Sequence, residues 1–214
     1  MFAAVAPDRP LDDVADDVSW LLDRAATYRQ ALGDPCAPLP LFQRAYALDR
    51  DRLGDDHPDT LAKAINLALD LHALGDYEQA RILDEDTLAR RRAQLGNDHL
   101  YTLTAANNLA LNLHALGDYP QARILNEDAL IRCRRLLGDD HPDTLISANI
   151  LARDLRALGD HEQARTLDED TLSRRRQVLG DDHLDTLTSA HNLALDLRAL
   201  GDLERARTLN EDTL

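Results

Sequence analysis

Leu53-Gly54-Asp55-Asp56-His57-Pro58-Asp59-Thr60-Leu61 is a stretch that returns three more times along this chain. It comes back as Leu95-Gly96-Asn97-Asp98-His99-Leu100-Tyr101-Thr102-Leu103, as Leu137-Gly138-Asp139-Asp140-His141-Pro142-Asp143-Thr144-Leu145, and as Leu179-Gly180-Asp181-Asp182-His183-Leu184-Asp185-Thr186-Leu187. The starting positions 53, 95, 137 and 179 are 42 residues apart each time. A spacing that never slips predicts stacked identical units, because one inserted residue would turn every later side chain off its contact.

Outward from this stretch, the unit reads as two antiparallel helices. Pro58 fits a first helical turn, where no amide is needed, and Asp56 and Asp59 are expected to accept from the free amides there. Leu61, Ala64, Leu67, Ala68, Leu71 and Leu74 then share one helical face, and Gly75 ends the helix. Asp76, with Gln79 three residues on, predicts the cap of a second helix whose buried side holds Ala80, Leu83, Thr87, Leu88 and Leu95. Helices of roughly 16 and 19 residues, about 24 and 28 Å, follow at 1.5 Å per residue.

The array reads as hairpins at about 14–53, 58–95, 100–137, 142–179 and 184–214, behind a flexible leader at 1–13. The first is degenerate: Ala31-Leu32-Gly33-Asp34 stands 42 residues before Ala73-Leu74-Gly75-Asp76, and Pro35, Pro38 and Pro40 delay its second helix to about Leu39. Phe42, Ala45, Tyr46 and Leu48 carry that helix onward. Leu214 corresponds to Leu88 and Leu172, midway along a second helix. The expectation there is an array continued in a longer parent protein, or self-association through an uncapped end.

The fold class expected is all-α, an α-solenoid. Composition agrees: 44% of the 214 residues are hydrophobic but only 4% aromatic, which suits helices packed on Leu and Ala and is poor material for sheets. A net charge of −15 argues against nucleic acid and against acidic membranes. Cys36 and Cys133 fall at different phases of the repeat, so no disulfide framework is read. Met1 to Pro10 has no basic n-region, and no run approaches the ~20 apolar residues of a membrane span, so a cytoplasmic location is expected.

Charges on the second helices are ordered. Asp86 and Arg90, Asp128 and Arg132, and Asp170 and Arg174 lie four apart with the acid first, the favourable orientation. Arg90-Arg91-Arg92, Arg134-Arg135 and Arg174-Arg175-Arg176 sit near helix C-termini, where the dipole prefers cations.

Leu109-Ala110, Leu113, Gly117-Asp118-Tyr119, Ala122 and Ala129-Leu130 together resemble the tetratricopeptide repeat. The 42-residue length and the Leu-Gly-Asp-Asp-His-Pro-Asp-Thr linker are similar to the long-repeat subclass of kinesin light chains. The Arg-rich, Lys-poor character, with Lys63 the only lysine, resembles arrays attached to bacterial NB-ARC-type signalling ATPases. The resemblance covers about residues 14–214 and implies a right-handed superhelix whose first helices line a concave side. Departures are Asp84, Asn126, Asp168 and Asn210 where the family has bulk, and His161 and Leu203 where Tyr77 and Tyr119 stand in earlier units.

On that inner side, three columns at helical spacing form the candidate partner groove. The first is Ile65, Asn107, Asn149 and His191; the second Leu69, Leu111, Arg153 and Leu195; the third His72, His114, Arg156 and Arg198. An apolar row facing solvent, where burying each Leu yields ~1.5–3 kcal/mol, predicts a peptide with a large apolar anchor. The third column is expected to receive its acidic residues, with Asn66, Asn107, Asn108 and Asn149 bonding its backbone.

Catalysis is not expected. His57, His99, His141 and His183 stand one repeat apart, too far to share a metal ion with ~2.1 Å bonds, and read as linker caps. No glycine-rich loop followed by Lys-Ser/Thr is present, and Cys133 has no histidine placed beside it. The function read is therefore a scaffold for protein–protein interaction, without cofactor or metal. The alternative is a regulatory or sensor segment of an NB-ARC-type ATPase.

Overall fold

The structure is a computed structural model of the chain and describes residues 17–22, 24, 25 and 39–211. The leader and most of the first hairpin's first helix lie outside these residues, apart from a helical stretch at 17–22. Two compact units divide the chain, 1–96 and 97–214. In the first, α1 (Leu39–Leu53), α2 (Pro58–Ala73) and α3 (Tyr77–Leu95) pack in chain order. The second holds α4 (Leu100–Ala115), α5 (Tyr119–Leu137), α6 (Pro142–Ala157), α7 (His161–Leu179), α8 (Leu184–Ala199) and α9 (Leu203–Glu211). Each of these packs on the next, α6 also touches α8, and no strand occurs among the described residues.

The apolar pattern is what buries. Phe42 of α1 closes on Leu67, Ala68 and Leu71 of α2 and on Ala80 of α3. In the second unit, Leu130 meets Ala148, Leu151, Ala152, Leu155 and Ala164, and one repeat later Leu172 meets Ala190, Leu193, Ala194, Leu197 and Ala206. Alanines at the crossing points let the helices approach closely, which explains why so few aromatics suffice. Leu95 departs from expectation: it is 40% exposed, as the last residue of α3.

The linker histidines cap the following helices as read, while the acid expected beside them takes another partner. The N-cap of α2 is His57, whose Nδ1 accepts from the Asp59 amide at 3.2 Å, and His99, His141 and His183 do the same for α4, α6 and α8. Asp56 is instead drawn to Arg90, whose Nη1 donates to it at 2.6 Å while Nε donates to Asp86 at 2.7 Å. Arg132 bridges Asp128 and Asp98, and Arg174 bridges Asp170 and Asp140, in the same manner. One arginine thus holds both its own helix and the linker 34 residues earlier. At the other end of α2, Gly75 at φ +84° lets the Asp76 amide return to the Leu71 carbonyl at 2.9 Å. Asp76 caps α3 as read, accepting from the Gln79 amide and side chain.

A candidate interaction face on the first helices

Of the residues read as a partner groove, the first unit holds those on α2 and the second those on α4, α6 and α8. On α2, Leu69 is 40% exposed, Ile65 is half-buried, and the His72 ring lies 4.9 Å from that of Tyr77. In the second unit, Leu195 is 39% exposed and Leu111 half-buried, so the leucines are not sealed into the stack. His191 is exposed, while Asn149 is half-buried and donates to Ser189 Oγ at 3.4 Å.

The third column has a different occupation from the one read in the sequence. His114 Nδ1 lies 2.7 Å from Asp154 Oδ1, and its ring packs edge-on against Tyr119 at 5.0 Å. Arg156 Nη1 donates to Asp168 at 2.5 Å and to Asp196 at 3.1 Å, and reaches the Asn192 carbonyl at 3.4 Å. These side chains serve carboxylates of the chain itself, because leaving such carboxylates unpaired inside the stack would cost several kcal/mol. Arg198 of the same column is exposed.

Those carboxylates belong to a polar seam that sequence reading did not resolve. Asp70, Asn112, Asp154 and Asp196 recur 42 apart, each beside a core leucine of the first helix, and all are buried. Asp84, Asn126 and Asp168, where bulk was missing from the repeat pattern, are buried as well. Asn126 Nδ2 donates to Asp154 Oδ2 at 2.5 Å. One repeat on, the same two positions hold carboxylates, Asp168 and Asp196, with Arg156 between them. Burial raises the Asp168 pKa to about 7 and raises that of Asp196 as well, against the pull of the Arg156 guanidinium between them. The signal in the sequence was the recurrence of Asp or Asn at a leucine-flanked phase on both helices.

Arg153 differs from the two paired side chains of the third column. It occupies the same phase of α6 as Leu111 on α4 and Leu195 on α8, and among the described residues no hydrogen bond or ion pair engages its guanidinium. Nε and Nη2 are buried without partners, and desolvation lowers its pKa. Asn107 Oδ1 and Asn149 Oδ1, on the neighbouring column, also lack donors.

Other chemistry finds no support in the geometry. No group of three metal-ligating side chains occurs among the described residues, and none of their helices is long and apolar enough to cross a membrane. Cys133 is buried against Ser147, and burial pushes its thiol up, away from a reactive thiolate. Within the arginine clusters, Arg134 pairs with Asp139 and Arg176 with Asp181.

Helix hairpins repeated at one register, with a face left over on their first helices, define a helical-repeat solenoid. The tetratricopeptide repeat model matches residues 17–93, 59–130, 101–177 and 147–214, and the chain belongs to that family. Among solved structures it is similar to a kinesin light chain from Podospora anserina made of nearly identical TPR-like repeats, at 28% identity and TM-score 0.82, covering 91% of this chain and 93% of that one. A second structure of those repeats gives 28% and 0.80 over the same shares. BtubC of P. vanneervenii shares the fold at 19% identity and TM-score 0.77, over 94% of this chain and 87% of that one. No curated protein matches the sequence.

Proposed function

We propose that this chain is a non-catalytic scaffold that binds an extended polypeptide across α4, α6 and α8, with a carboxylate of the partner on Arg153 and an apolar side chain against Leu111 and Leu195. The observation behind this reading is the unpartnered guanidinium of Arg153. Leaving buried guanidinium N–H groups without acceptors costs free energy that a partner's carboxylate would recover. In a chain of net charge −15, a half-buried Arg with no hydrogen-bonded acid stands out against Arg174 and Arg176, which pair with Asp140 and Asp181. The family supports a role in protein–protein interaction, and Asn107 and Asn149 offer acceptors that an extended backbone would use.

Selection of random peptides displayed on phage tests it. Enriched sequences are expected to pair Asp or Glu with a large apolar residue. Arg153→Glu is expected to weaken them at least about tenfold, the scale of one charged contact. Peptides that bind Arg153→Glu as well as the parent would refute this face.

A further inference from the structure

Late in the second helix of the repeat, a buried arginine recurs as Arg91 on α3 and Arg175 on α7. Cys133 on α5 takes that place between them. Arg175 shows what the position does: Nη1 donates to the Asp185 carbonyl at 2.7 Å and to Ser189 Oγ at 2.9 Å, in the first turns of α8. The equivalent acceptors 42 residues earlier are the Asp143 carbonyl and Ser147 Oγ on α6. Here the neighbouring side chain is a thiol, with Sγ 3.7 Å from Ser147 Oγ, a long and weak contact.

A cysteine is several heavy atoms shorter than an arginine, and the missing volume stays open. A cavity of about 280 Å³ is lined by Cys133, Asp143, Ser147, Asn107 and Asn108, with Ile146 at its rim. Leu100 and Ile146 are 46% and 45% exposed, so its mouth reaches solvent. Ser147 is itself only 2% exposed, and the buried Asn107 Oδ1 has no donor. The cavity therefore keeps the acceptors of a guanidinium site and lacks the guanidinium.

We propose that this cavity binds an alkylguanidinium, the arginine side chain of a partner polypeptide. That group enters from outside to the place Arg175 fills from within the chain. Its donors meet the Asp143 carbonyl, Ser147 Oγ and Asn107 Oδ1, and its methylene stem lies along the apolar wall. The Asp143 carboxylate and the net charge of −15 favour a cation there. The site shares Asn107 with the peptide face above but uses neither Arg153 nor the exposed leucines, so an Arg153 variant that loses the peptide leaves this site testable by itself.

Titration of the ¹⁵N-labelled full chain with N-acetylargininamide tests it. Saturable shifts are expected at the Asn107 and Asn108 side-chain amides and at the Ser147 backbone amide. The citrulline counterpart, which keeps the shape and loses the charge, is expected to bind roughly tenfold more weakly. Absence of shifts at these residues, or equal binding of citrulline, overturns the proposal. Cys133→Arg is expected to fill the cavity, raise the thermal midpoint and abolish the probe's shifts. Unaltered probe binding in a folded Cys133→Arg chain overturns it too, and the wild-type titration decides without any variant.

Discussion

Asp168 shows how much rests on single residues. It sits buried opposite Asp196 with one guanidinium between them, and its carboxyl titrates near pH 7. Its folded pKa lies above the unfolded value, so the folded state holds the proton more tightly. Stability therefore falls as pH rises from about 4 through about 7. Between pH 6 and pH 8 the loss is on the order of 1 kcal/mol, a drop of about 2–4 °C in thermal midpoint for a chain of this size. Asp168→Asn reproduces the Asn126–Asp154 pairing one repeat earlier, and is expected to abolish this drop and to raise the midpoint at pH 8. Calorimetry at the two pH values checks both; a variant that keeps the drop places the proton elsewhere. Arg153 is the converse case, with Nε and Nη2 buried and no acceptor for either. Arg153→Gln is expected to leave the midpoint unchanged or slightly raised while weakening the selected peptides, and a large fall in midpoint would make Arg153 structural.

Among the elements, the linker does more than its residue types declared. Its histidine caps the following helix, and its acid accepts from an arginine 34 residues later, so hairpin and linker are locked from both ends. His141→Ala removes the cap of α6 and is expected to cost about 1 kcal/mol in urea unfolding. His141→Asn restores a capping oxygen and is expected to recover most of it. Arg174→Ala breaks pairs that are partly exposed, where about 0.5 kcal/mol is the usual scale. The order of these two losses is the test: a larger loss for Arg174 would mean that the clamp, and not the cap, sets the linker. Helices, caps and core leucines were legible in the sequence because they depend on local spacing. Leu95 was misread because periodicity assigns a face without saying what packs against it at the helix end.

At the scale of the molecule, each unit carries its own core, and the second contains every residue of the Arg153 face. Residues 97–214 expressed alone are expected to keep the helical circular dichroism per residue of the full chain and to bind the selected peptides within about threefold of its affinity. Loss of either would show that α1, α2 or α3 supplies something the second unit needs. A repeat stabilised by nearest neighbours tolerates such division, since few contacts are long in sequence.

By itself the sequence determined the repeat length, the two helices of each unit, their capped ends and the apolar face, because all of these follow from residue spacing along one helix or one linker. Tertiary structure alone decided which charges are free. His114 and Arg156 pass every sequence criterion for a ligand-binding column, yet they face Asp154, Asp168 and Asp196, brought beside them by packing between helices. Whether a cation is spent inside or left for a partner depends on distances between units, and spacing along the chain does not specify those.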